Sequence, residues 1–162
     1  MLCRRFPDPP VARFHETTGK RELVTDTSQC VLLANRHHGL NERVCGLLEE
    51  TFGRVFVVLD EASLLDGASR IRPTMFVIDL SLAAGRLASL VGALRERAPE
   101  ARIVLISVHD EPTVLAAAAA AGADAVVLKR DIATDLLPTV DDLIAGRPPS
   151  NRFVHTVKGD PK

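Results

Sequence analysis

The stretch Thr74-Met75-Phe76-Val77-Ile78-Asp79-Leu80-Ser81-Leu82 decides the fold. Met75 to Ile78 is a continuous apolar run without alternation, and it stops at a single carboxylate, Asp79. A run of this kind suits a strand buried on both faces of a parallel sheet. Such sheets bind their ligands outside the carboxyl ends of the strands. Asp79 therefore stands where a rigidly held carboxylate can meet a ligand. Taken alone, a strand-end Asp reads equally as a solvated group or a helix cap, so the weight falls on the other strand ends.

Working outward, the same texture repeats. Cys30-Val31-Leu32-Leu33-Ala34 reads as a buried strand, followed by the turn Asn35-Arg36-His37-His38-Gly39. A helix over 40–51 is expected to put Leu40, Val44, Leu47 and Leu48 on one face. A strand over 55–59 leads to a helix over 60–71 with Ala62, Leu65 and Ala68 inward, ending near Pro73. After Asp79, the residues Leu87, Leu90, Val91 and Leu94 mark a helix stopped before Pro99. Ile103-Val104-Leu105-Ile106-Ser107 is again apolar until a polar last residue. Pro112 opens the next helix, which is alanine-rich through Ala121 and capped by Gly122. Ala125-Val126-Val127-Leu128-Lys129 reads as the fifth strand, and a last helix is expected over 133–145.

Five strand–helix pairs in strict alternation predict an α/β, doubly wound, five-stranded parallel sheet with helices on both faces. The strand ends then bring Asn35, Arg36, Asp79, Ser107 and Lys129 to one edge. Residues 1–28 carry Pro7, Pro9 and Pro10 without periodicity and read as a flexible extension. Residues 29–146 read as one domain and 147–162 as a tail.

Composition narrows the partners. The chain has 162 residues and a net charge of −1, which gives no electrostatic basis for binding nucleic acid or an anionic membrane. Trp and Tyr are absent, so stacking platforms for bases are missing. No apolar run is long enough to span a bilayer, and no signal peptide opens the chain, so a cytoplasmic location is expected. Of three cysteines, Cys30 and Cys45 lie in apolar patterns and read as reduced core thiols. His37-His38 lacks acidic or Cys partners at ligand spacing and does not read as a metal site. No Gly-rich phosphate loop follows the first strand.

From about Cys30 to Gly146 the residues resemble the receiver domain of two-component response regulators, the flavodoxin/CheY-like fold with strand order 2-1-3-4-5. The resemblance makes Asp79 the phosphoacceptor, Ser107 the coupling hydroxyl and Lys129 the phosphate counter-cation. A phosphoryl group on a carboxylate needs cations and hydrogen-bond donors about its oxygens, which suits Lys129 and Ser107. It implies a histidine kinase or phosphotransfer protein as donor, a downstream protein partner, and Mg²⁺ as cofactor. It also implies no enzymatic activity of its own. The face of the last two helices and the fifth strand is the expected contact surface. There the flat alanine-rich helix, with Ala116 to Ala121, is compatible with a homodimer.

Three departures fall on the site. The family's acidic pair after the first strand is Asn35-Arg36, so the Mg²⁺ ligands reduce to Asp79, Asn35 and Ser81, beside a fixed cation. The switch aromatic is Val126, and the loop after Asp79 lacks the usual Met-Pro, reading Leu82-Ala83 and so looser or differently shaped. Arg36 has two readings, a bridge to Asp79 or a solvated side chain. Asp60 and Glu61 belong to another strand–helix junction and lie too far away to replace the missing acids. The leading expectation is an atypical, stand-alone receiver acting through protein contacts. The alternative is a pseudo-receiver that is never phosphorylated and serves as a constitutive binding or dimerisation module.

Overall fold

The computed structural model describes residues 4–5 and 29–149. Its elements in chain order are β1 (Arg4–Arg5), β2 (Cys30–Ala34), α1 (His38–Glu49), β3 (Arg54–Val58), α2 (Glu61–Ile71), β4 (Met75–Asp79), α3 (Leu87–Arg97), β5 (Arg102–Ser107), α4 (Pro112–Ala121), β6 (Ala125–Leu128) and α5 (Ile132–Ile144). Short 3-10 turns cover Leu80–Ala83 and Lys129–Asp131. All pairings are parallel, in the order β1-β3-β2-β4-β5-β6. The five strands from β2 onward keep the expected 2-1-3-4-5 order, and the two-residue β1 adds to the β3 edge. Apart from Arg4 and Arg5, the extension and most of the tail lie outside the described residues.

Alternation along each strand sorts the side chains into two cores. Val31, Leu33, Val77, Val104, Ile106 and Val127 face α1 and α5. Leu32, Ala34, Phe76, Ile78, Leu105 and Val126 face α2, α3 and α4. Because both faces are covered, β4 is buried at all five positions, which is why its sequence shows no alternation.

Two helices sit differently from their patterns. In α2 the buried residues are Leu64, Gly67 and Ala68, whereas Ala62 is exposed. Asp60 stands outside the helix as its N-cap, its Oδ1 accepting the Ser63 N–H at 2.7 Å. That cap starts the helix one residue later than expected, and the face packed on the sheet is the one carrying Leu64, Gly67 and Ala68. In α1, Asn41 and Cys45 are buried with Val44 and Leu48, and Leu40 and Leu47 only border the core. Cys45 is disulfide-bonded, so reading both core cysteines as reduced thiols holds for Cys30 alone. Burial pushes the Cys30 thiol up in pKa.

At the amino edge of the sheet one guanidinium gathers three elements. Arg95, near the end of α3, donates from Nη1 to the Ala101 carbonyl at 2.6 Å. Its Nη2 donates to the Gly122 carbonyl at 2.8 Å and to Asp124 Oδ2 at 2.9 Å. The same Asp124 oxygen accepts the Ile103 N–H at 2.8 Å. The starts of β5 and β6 are thereby fixed to α3. Among the described residues, no helix is long and apolar enough to cross a membrane.

Candidate functional site

At the opposite, carboxyl edge the strands deliver the residues singled out above. Asp79 ends β4 and is 2 % exposed, despite its charge. A buried carboxylate must be paired or hydrogen-bonded. Its Oδ1 accepts the Ser81 N–H at 2.9 Å, which also caps the 3-10 turn, and its Oδ2 lies 2.6 Å from Lys129 Nζ. Burial pushes the Asp79 carboxyl up, but Lys129 and the Ser81 donors outweigh it and hold it below the usual carboxylate range. Asp79 is a permanent anion at neutral pH.

Ser107 ends β5 and is 1 % exposed, and its hydroxyl turns to the following loop. Its Oγ donates to the His109 carbonyl and accepts the His109 N–H, both at 2.9 Å. To reach a group on Asp79 it would first release His109. Asp79, Leu80, Ser81, Gly85, Val108 and Lys129 are among the walls of an open cleft of about 230 Å³ over this edge. Ala84, with φ 47, and Gly85, with φ 81, turn the chain in the left-handed region and shape one wall. The loop after Asp79 is anchored in the core, since Leu82 and Ala83 are each 1 % exposed.

Asn35 and Arg36 do not line the cleft. Arg36 is exposed, and the ion-pair partner of Asp79 is Lys129, so the solvated reading of Arg36 is the one adopted. Asp60 caps α2, and Glu61 pairs with Arg86 at 2.9 Å across to the start of α3, so neither serves Asp79. Asn35 is fully buried, and its Oδ1 is occupied by the His37 N–H at 3.1 Å.

The donor set does not fit Mg²⁺. That ion calls for several oxygen ligands in octahedral array, anchored by carboxylates. Here a single carboxylate is offered, with one oxygen against an ammonium and the other on a backbone N–H. Asn35 contributes an oxygen already engaged and a buried Nδ2 donor without a partner. Among the described residues no group of three or more His, Cys, Asp or Glu could hold a metal.

Some of the wall was given no place at Asp79 from the sequence: Val108, 61 % exposed, and His109, both in the loop after β5. The available signal was topological, because loops leaving adjacent strand ends enclose the crevice. The exposed Arg130–Asp110 pair, at 2.7 Å, joins that loop to the segment after β6.

No family model and no curated protein matches the chain. Solved structures do. The isolated receiver (REC) domain of RcsB from Salmonella enterica serovar Typhimurium superposes with a TM-score of 0.71 at 21% identity, over 82% of this chain and 99% of that one. This is the receiver-domain fold. The non-phosphorylated receiver domain of the stress response regulator RcsB from Escherichia coli matches with a TM-score of 0.66 at 20% identity, over 74% and 95%. A longer Salmonella typhimurium RcsB chain, solved for its conformational dynamism in DNA interaction, matches at 0.70 and 19% identity. That match covers 80% of this chain, which spans 66% of the RcsB chain. The receiver fold thus places Asp79, Ser107 and Lys129 on adjacent strand ends, with Asp79 and Lys129 in contact.

Proposed function

We propose that this chain is a receiver-type signalling module in which Asp79 accepts a phosphoryl group and the altered surface is read by a partner protein. The observation that carries this reading is the Asp79 carboxylate, held ionised at the foot of the cleft by Lys129 and Ser81. An Asp79 carboxylate oxygen attacks phosphorus, the bond from phosphorus to the donor's imidazole nitrogen breaks, and that nitrogen keeps the electron pair and takes up a proton. Lys129 balances charge on the transferred group. The Ser81 N–H already donates to the carboxylate, and the Ser107 hydroxyl at the end of the next strand is a further neutral donor once it leaves His109. The donor fitting this chemistry is the phosphohistidine of a kinase or phosphotransfer protein. The chain itself acts as acceptor and binding module rather than as an enzyme, and its location is taken to be cytoplasmic.

The surface placed to report the change is the loop after β5, with exposed Val108 and the Arg130–Asp110 tie, together with α4. Added negative charge beside Lys129 would draw Ser107 inward and release the His109 backbone. The test is intact mass after incubation with acetyl phosphate, beside an Asp79→Asn control. A phosphoryl adduct on the parent and none on the control supports the reading; the same mass gain, or none, in both refutes it.

A second reading, a constitutive binding module that is never phosphorylated, is favoured by one observation. Asp79 Oδ2 is already occupied by Lys129, and Asp79 is the one carboxylate among the described residues that line the cleft. An unmodified parent that still captures a partner through the α4 face selects this alternative.

A further inference from the structure

Next to Asp79 on the neighbouring strand stands a residue committed to something other than ligand binding. The β2–β4 ladder pairs Ala34 with Ile78, so Asn35 follows in register beside Asp79. Nearly every polar group of Asn35 is spent on its own junction. Its N–H donates to the Val58 carbonyl at 3.1 Å, its carbonyl accepts Asn41 Nδ2 at 3.2 Å, and its Oδ1 accepts the His37 N–H at 3.1 Å. These bonds join the end of β2 to β3 and to the first turn of α1. What remains is Nδ2, a buried donor without an acceptor, on a residue whose neighbour Asn41 has a buried acceptor, Oδ1, without a donor. A donor cannot ligate a cation. The charges on the site itself are then one carboxylate and one ammonium, 2.6 Å apart.

We propose that this site works without a divalent cation: Lys129 is the standing counter-charge of Asp79, and Asn35 is the pin of the β2–α1 turn. The proposal deepens the receiver reading, on which only its phosphorylation arm rests. Mg²⁺ entering beside Asp79 would have to displace Lys129 or share one carboxylate with it, and would find no second carboxylate among the described residues of the cleft. An incoming phosphoryl group meets the ammonium already in place. Occupancy of Asp79 is therefore set by the phosphodonor and not by the Mg²⁺ concentration.

The test begins with a Mg²⁺ titration of the full chain, followed by backbone amide resonances, against NaCl of matched ionic strength. No saturable shift at Asp79 to Ser81 is expected in the parent. The N35D/R36D variant, which adds one carboxylate in register beside Asp79 and a second at the exposed next position, is expected to show saturable shifts there and a melting temperature raised by Mg²⁺. Saturable shifts in the parent overturn the proposal, whether or not the variant folds. In the second arm, acetyl phosphate is supplied with Mg²⁺ or with EDTA. Equal adduct in both supports the proposal, and adduct with Mg²⁺ alone overturns it. Absence of adduct in both refutes the acceptor reading, and the metal question is then decided by the titration.

Discussion

With its ammonium 2.6 Å from Asp79, Lys129 governs how the site responds to acid. The folded Asp79 carboxyl titrates below its unfolded value of about 3.9, so the pair contributes stability above that pH and loses it as pH falls through the folded value. Denaturant unfolding across acid pH is expected to show the parent more stable than Asp79→Asn at neutral pH, by about 1–3 kcal/mol. The gap should close below about pH 4. An Asp79→Asn curve running parallel to the parent at every pH would contradict the assignment. Ser107→Ala removes both bonds to the His109 backbone at a cost of about 1 kcal/mol, and faster amide exchange at His109 should reveal the loosened loop. The positions of Asp79, Ser107 and Lys129 were legible because the first two close apolar strands and Lys129 directly follows one, and a strand's end fixes where the next Cα goes. Side-chain direction was not. A long Lys chain reaches Asp79 only through rotamers that no sequence pattern encodes, and Ser107 turned instead to a backbone two residues on.

At the scale of elements, the caps and breakers carry the predictions. Asp60→Ala should cost about 1 kcal/mol by freeing the first turn of α2, read as a lower denaturation midpoint. Pro138 lies inside α5, where it denies the helix one N–H and crowds the carbonyl four residues back. Pro138→Ala is expected to raise stability by about 1–3 kcal/mol, and an unchanged midpoint would show that α5 has already adjusted its path. Strand and helix existence was legible from apolar runs and from Pro99, Pro112 and Gly122, the last of which adopts φ 99 as a C-cap. The phase of α2 was not, since Ala62, Leu64, Leu65, Gly67 and Ala68 offer two overlapping stripes of small and apolar residues, and packing on the sheet chose the one with Leu64, Gly67 and Ala68. The tight turn over Leu80–Ala83 was equally hidden, because it depends on Leu82 and Ala83 finding room in the core.

For the molecule as a whole, the two cores share β4 as their common wall. Phe76→Ala, at a fully buried position, should cost about 3–5 kcal/mol and lower the melting temperature without altering the Asp79–Lys129 pair. The parallel order was legible because strict alternation of strand and helix leaves few topologies open. The parallel contact of β1 with β3 was not, since two arginines carry no strand signal. The Arg95 fork adds a mechanical asymmetry. Its bonds to Ala101, Gly122 and Asp124 clamp the incoming ends of β5 and β6, while their outgoing ends lead to loops tied by Ser107 and by the exposed Arg130–Asp110 pair. The two strands are thus held by more bonds at their base than at their outgoing ends. If Asp79 takes up charge as proposed, the clamped ends are expected to stay in place while α4 and the tip at Val108 shift, a difference that amide exchange at the two ends would read.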